Sequence, residues 1–147
     1  LPCNRGAYPK FWSWFDDSPK GVSIHRIDDG IDTGNIIVQE HIKSWTGGQT
    51  LKTSYDRLTL IAVKLFADNW VNIRRDGLPT RKPEPGVGSY HRKADKDEWF
   101  KHLPLGWDTP VSEIRKLGRE NRTNQYEKAH SHSRRSRQHR QQTFPEF

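Results

Sequence analysis

Hydrophobic and polar positions change their rhythm along this chain. From Gly21 to Ile27, the apolar residues Val22, Ile24 and Ile27 interleave with Ser23, His25 and Arg26, the near alternation of a strand with two different faces. Ile36, Ile37 and Val38 form a β-branched run continuing towards Ile42, so two strands flank a loop. After Thr46-Gly47-Gly48 the period becomes helical. Leu51, Tyr55, Leu58, Ala62, Leu65 and Phe66 recur at three- and four-residue steps, and Trp70, Val71 and Ile73 extend the stripe. The spacing predicts an amphipathic helix laid across a sheet, N-capped at Thr50 and ended by Gly77-Leu78-Pro79. Upstream, Ala7 to Asp17 carries Tyr8, Phe11, Trp12, Trp14 and Phe15. It reads as a short helix or packed loop whose rings either build a core or stack on a sugar or base.

Downstream the elements are smaller. Pro79 to Gly88 is rich in Pro, Gly and charge and reads as an extended connector. Asp95 and Glu98 form a capping-box pattern for a helix through Trp99 and Phe100, stopped by Pro104. Thr109 as N-cap and Pro110 at the first helical position predict another helix, running to about Gly118. From Arg119 onward hydrophobic residues almost vanish. The expected organisation is therefore a main unit over 1–78, a small appended subdomain over 79–118 and a disordered basic tail over 119–147.

Composition sharpens that division. Hydrophobic residues make up 31% of the 147 positions, against a globular norm of about 45% that also counts Gly, and all six Trp lie before residue 108. The formal net charge is +7, and residues 115–147 hold nine Lys and Arg against three Asp and Glu. The basic character thus belongs to the tail. It says little about what the main unit binds, and a solvated tail is the preferred reading over one that tethers nucleic acid. One Cys excludes an internal disulfide, and no apolar run approaches a membrane-spanning length; a reducing cytoplasm is expected. His130, His132 and His139 lie in the tail without Cys or acidic partners, so no metal site is expected. There is no phosphate-loop fingerprint.

The chemistry concentrates between the two strands. Asp32 stands two residues after Gly30 and two before Gly34, glycines that let the backbone turn sharply and a ligand approach closely. Such a turn either presents an active-site acid or closes an ordinary hairpin with a solvated carboxylate. Ser23 and His25 share one strand face and serve as water or proton organisers or as structural residues.

With the opening Leu1-Pro2-Cys3-Asn4-Arg5-Gly6, the segment from Gly21 to Ile37 resembles the C-terminal half of the catalytic domain of the 10-formyltetrahydrofolate-dependent formyltransferases, which act on methionyl-tRNA, glycinamide ribonucleotide or nucleotide-linked amino sugars. The resemblance is strong over 1–42, moderate to about 115 and absent beyond. It implies an α/β, partial Rossmann-like fold, a cytoplasmic enzyme and 10-formyltetrahydrofolate as cosubstrate. Asp32 matches the family's Asp that pairs with a catalytic His, while Ser23 and His25 match its hydroxyl and imidazole positions. Asp29, Gly30 and Ile31 fall where the family's backbone meets the pterin. Arg5 and Gly6 border the acceptor pocket. Tyr90, His91 and Lys93, with Gly106-Trp107-Asp108-Thr109, look more like the nucleotide-sugar branch than the tRNA branch, and could meet an anionic nucleotide by stacking and charge.

The family's motif places an Asn and a His just before the Leu-Pro with which this sequence begins. The chain is accordingly expected to be a downstream piece, inactive alone, with an exposed sheet edge. The expected partners are the folate cosubstrate and an amine acceptor, and the resemblance leaves open a homodimeric parent.

Overall fold

The computed structural model describes residues 1–45, 47–84, 86 and 88–141, with 131–141 as backbone alone. In chain order the elements are β1 (Arg5–Gly6), α1 (Pro9–Phe15), β2 (Gly21–His25), β3 (Ile36–His41), α2 (Leu51–Arg74), β4 (Tyr90–His91), α3 (Lys93–Phe100), a 3₁₀ turn (Gly106–Asp108) and α4 (Val111–Gln141). The α/β expectation holds, with two small sheets. β2 and β3 pair antiparallel, with Val22 opposite Glu40 and Ile24 opposite Val38, and an irregularity between Ile24 and His25. β1 and β4 pair parallel, Arg5 with Tyr90 and Gly6 with His91, which ties together segments 85 residues apart.

The aromatic run builds the core. α1 buries Phe11, Trp12, Trp14 and Phe15, which cluster with Leu51, Leu103 and Ile114. The rings meet largely edge to face, as the quadrupoles of aromatic pairs prefer: Phe11 and Trp12 lie 5.0 Å apart at 79°, and Trp12 and Phe15 5.4 Å apart at 83°. Trp14 Nε1 donates to Ser54 Oγ at 3.1 Å, so the one polar atom of a buried indole is satisfied. Residues 79–118 contribute Leu103 and Ile114 to this same core.

α2 begins as the sequence predicts. Thr50 Oγ1 accepts the Thr53 amide at 3.2 Å, and Thr53 Oγ1 accepts the Thr50 amide at 2.9 Å, a reciprocal cap. It ends at Arg74, just before Gly77-Leu78-Pro79, and Asp76, with φ of 54°, takes the left-handed turn that leads the chain away. Only its early residues Leu51, Ser54 and Leu58 are buried; Leu60, Val63, Phe66, Trp70 and Val71 are exposed. β2 stops at His25 rather than Ile27, and Ile27 is 96% exposed.

Three expectations need correction. Asp95 is not an N-cap: Arg92 occupies that place, and Asp95 in the first turn accepts the Arg92 amide at 2.7 Å. Thr109 does not cap α4, because its hydroxyl is buried without a partner. Instead its carbonyl accepts the Leu51 amide, while the Val111 amide donates to Gln49, locking the starts of α2 and α4 together. The helix also does not stop at Gly118 but continues to Gln141, so 119–141 is helical where a disordered tail is expected; 142–147 lie outside the described residues. The physical reason lies at the end of α1. Arg122 Nη1 donates to the Phe15 carbonyl at 2.7 Å and Arg115 Nε to Asp17 at 3.0 Å, so basic residues of α4 satisfy the open carbonyl end of α1 and complement its dipole. Gly118 makes that approach possible: a Cβ there would stand 1.8 Å from the Phe15 oxygen. It is a packing glycine rather than a helix terminator.

Candidate active site

The turn between β2 and β3 is held by its own side chains. Asp28 Oδ1 accepts the Thr33 hydroxyl at 2.6 Å and the Gly30 amide at 3.1 Å. The Thr33 hydroxyl bond, foremost, and the Gly30 amide hold the Asp28 carboxyl below its ordinary pKa. Asp28 thus fixes the loop, a role sequence reasoning left to its neighbours, although an Asp two residues before a Gly is the usual signal of such a turn. Among the described residues the backbone groups of Asp29 and Ile31 form no hydrogen bond, which leaves their amides and carbonyls open to an external partner. The Gly30 amide is already occupied by Asp28.

Asp32 sits at φ of 55°, in the left-handed region, a conformation that Asp tolerates better than most residues. Its Oδ2 accepts the Gly6 amide at 3.0 Å, and its Oδ1 lies 3.6 Å from His25 Nε2. The side chains of Asp32 and His25 are 38% and 23% exposed, so the pair lies at the surface within reach of solvent. His25 Nδ1 is 2.8 Å from the Arg26 carbonyl. A proton there donates to that carbonyl and turns Nε2 towards the carboxylate.

Gly6 is the hinge of this arrangement. At φ of 88° its Cβ position is filled by the His91 carbonyl at 2.5 Å and by the Tyr90 ring at 2.9 Å. Only glycine lets β1, β4 and Asp32 converge there. Tyr90, partly exposed, therefore stands beside the residue that holds Asp32. His91 is placed differently: its ring stacks on Trp12 at 4.0 Å and 7°, and its Nε2 lies 3.4 Å from Asp16 Oδ2. Burial raises the Asp16 pKa, partly offset by His91 and Arg122. Lys93 is exposed at the start of α3.

Ser23 does not join the Asp32 pair. It accepts Gln39 Nε2 at 2.8 Å and lies 3.1 Å from the Leu1 nitrogen, so its hydroxyl fastens the first residues to β3. Gln39 was not singled out from the sequence, where it is one polar position in a strand. Asn4 was likewise missed. It is buried at φ of 55°, donates to Ser18 Oγ at 2.6 Å and accepts Ser89 Oγ at 3.0 Å, which sets the turn carrying Arg5 and Gly6. Arg5 lines a cavity of about 370 Å³ with Pro2, Asp28, Thr33, Asn35 and Lys82, and its Nε is buried without a protein partner.

Among the described residues no cluster of three His, Cys, Asp or Glu could hold a metal, and no helix is long and apolar enough to cross a membrane. The side chains of His132 and His139 lie outside the described residues.

The geometry can be set beside known proteins. The profile described as "Formyl transferase" matches residues 1–69. A dTDP-4-amino-4,6-dideoxyglucose formyltransferase of Mycobacterium tuberculosis is 36% identical over 99 residues, 66% of this chain and 41% of that protein. A methionyl-tRNA formyltransferase of Paraburkholderia phymatum is 33% identical over 116 residues, 78% of this chain and 34% of that protein. Among solved structures, the formyltransferase PseJ from Anoxybacillus kamchatkensis, in complex with UDP-4,6-dideoxy-4-formamido-L-AltNAc and tetrahydrofolate, superposes with a TM-score of 0.73 and 47% identity, over 80% of this chain and 61% of that one. The chain spans about two fifths of the length of the first curated relatives it matches.

Proposed function

We propose that the protein carrying this chain, whose residues 1–69 match the formyl transferase profile, moves a formyl group from 10-formyltetrahydrofolate to the amine of a nucleotide-linked amino sugar. The observation that carries this reading is the Asp32 carboxylate, held by the Gly6 amide at 3.0 Å with an imidazole 3.6 Å away. In the reaction the amine nitrogen bonds to the formyl carbon, the bond from that carbon to the folate nitrogen breaks, and one proton passes from the amine to the departing nitrogen. A carboxylate beside an imidazole orients the ring for such a transfer. Asp32 is the electrostatic anchor of that relay. His25 organises the proton path, and Ser23 supports it indirectly by holding the Leu1-Pro2 segment against β3.

The open backbone of Asp29 and Ile31 fits a planar heterocycle with alternating donors and acceptors, so the folate is assigned to this loop, with Gly30 letting Thr33 close the turn beneath it. Arg5, Gly6 and Tyr90 border the acceptor. His91 holds β4 against Trp12 rather than meeting substrate, and Lys93 adds peripheral charge. The sugar branch is favoured by the 47% identity to the structure that holds a UDP-linked formamido sugar. A methionyl-tRNA acceptor is the second reading, supported by the similarity to that enzyme.

The test measures formyl transfer by the full-length protein that contains this sequence, with dTDP- and UDP-linked 4-amino sugars and with charged initiator tRNA. Asp32→Asn is expected to lower turnover on an amino sugar by about 10²–10⁴-fold with the fold unchanged by circular dichroism. Turnover that survives Asp32→Asn would remove Asp32 from the relay, and transfer to tRNA alone would replace the sugar acceptor.

A further inference from the structure

The helical course of α4 through Gln141 gathers the charges of a basic segment onto one side. Arg119, Arg122, Tyr126 and His130 recur at three- and four-residue steps, and the sequence continues those steps with arginine at 134, 137 and 140. At 3.6 residues per turn all of these positions fall within about 60° of Arg119. The three glutamates of the helix, Glu113, Glu120 and Glu127, share a different face, centred about 100° round from it. In an irregular tail the acids and bases would mix; the helix separates them.

The stripe starts at the core and runs off it. Arg115 pairs with Asp17 at 3.0 Å and Arg122 donates to the Phe15 carbonyl, so the first turns are anchored to α1. Arg119 forms no ion pair among the described residues. From Arg119 to Arg140 the helix extends about 31 Å. Part-way along, Tyr126, 64% exposed, lies against the His130 ring at 3.8 Å and 30°, and His130 Nδ1 is 2.9 Å from the Tyr126 carbonyl, which holds the two rings as a pair. Residues 119–141 carry seven Lys and Arg against two Glu. Tyr126 and Ala129 are their sole apolar members, so the helix has no apolar face to bury in a bilayer, and an anionic lipid surface fits poorly.

We propose that α4 binds a single-stranded nucleic acid, whose phosphates follow the arginine stripe while one base stacks on the Tyr126 and His130 ring pair. Cations that track a backbone and aromatic faces that accept any base are the two parts of sequence-tolerant single-strand binding, and the helix brings both to one surface. The glutamate face repels phosphate and so sets which side of α4 the strand takes. This binding is independent of the formyl acceptor, because the groups assigned to the transfer lie on β1, β2, β4 and the turn after β2, so either reading can fail without the other.

Fluorescence anisotropy of a labelled single-stranded oligouridylate titrated with the 147-residue chain tests this across a salt series. The logarithm of affinity should fall with the logarithm of salt at a slope of about −3, the value for about four arginine contacts to a single strand. Arg137→Gln should weaken binding about fivefold at 0.1 M salt and reduce the slope by about 0.7. Arg135→Gln removes the same charge two positions away, on the opposite face, and should stay within about twofold. Tyr126→Ala should cost about tenfold, the scale of one lost base stack, with the slope unchanged. Circular dichroism checks that each variant keeps its helix content. Vesicles of phosphatidylcholine and phosphatidylserine should leave the chain unbound. Equal losses at 135 and 137 would mean an unstructured polycation and overturn the assignment. So would indifference to Tyr126→Ala, the absence of salt-dependent binding, or capture by the vesicles without capture of the oligonucleotide.

Discussion

Replacing Gly118 with Ala separates two readings of α4 by the sign of one number. If Gly118 were an ordinary helical position, Ala would stabilise the helix by about 0.8–1 kcal/mol; if it ended the helix, Ala would act mainly on the terminus. The structure sets an opposing effect against the propensity gain. The new methyl would lie 1.8 Å from the Phe15 oxygen and 2.7 Å from its carbonyl carbon, both backbone atoms, so α1 and α4 must separate. Overpacking of this kind costs about 1–3 kcal/mol. Separation also stretches the bond from Arg122 to the same Phe15 oxygen, now 2.7 Å, and a hydrogen bond from a charged donor is worth about 1.5–3 kcal/mol where it is sheltered. The repulsive side wins by roughly 1–3 kcal/mol. At this chain length that corresponds to a fall of about 3–10 °C in midpoint temperature. Thermal unfolding followed by circular dichroism measures it, with Asn124→Ala on the exposed surface of α4 as the control, expected to be neutral or slightly stabilising. A Gly118→Ala variant as stable as the parent, or more so, would refute the close approach of α1 and α4 and with it the account of residues 119–141.

Two other outcomes follow from the core. Ser54→Ala leaves the Trp14 indole nitrogen buried without its acceptor and should destabilise the fold by about 1–3 kcal/mol, read from denaturant midpoints. Asp16 gives a pH signature. Burial, chiefly, raises its folded pKa above the ordinary 3.8, against the pull of His91 and Arg122. A carboxyl shifted upward is penalised only when ionised. The cost is absent below the ordinary value, where folded and unfolded chains are both protonated, and it develops as pH rises through the folded value. Asp16→Asn should therefore gain stability relative to the parent at pH 7 and show a smaller difference at about pH 3, measured as paired midpoint temperatures. A larger gain in acid would contradict the burial effect.

Much of the candidate site was legible because its signals are local. Asp32 between Gly30 and Gly34 forms a turn whose left-handed backbone and short side-chain bonds all fall within a few residues. Thr50 and Thr53 cap α2 across three positions, which pattern reading captures well. His25 reached Asp32 because both lie on the same hairpin. The acceptor side was less legible. Tyr90 and His91 look equivalent as neighbours in a polar stretch, yet the β1–β4 register sends one ring to Gly6 and the other beneath Trp12 and Asp16. Gly118 and Thr109 carried helix-end signals that distant backbone groups overruled, and the arginines of α4 looked solvated until the carbonyl end of α1 came within reach.

By itself, then, the order of residues determined the period of each element, the hairpin that presents Asp32, the aromatic run that must be buried and the absence of hydrophobic residues after Arg119. These follow from side-chain sterics and solvation within one or two turns of chain. Tertiary structure alone decided which imidazole faces the carboxylate, that Gly6 rather than a side chain fixes it, and that Phe15 is capped by α4. Each of those depends on contacts between residues tens of positions apart, whose geometry is set by packing the whole core and not by any local preference.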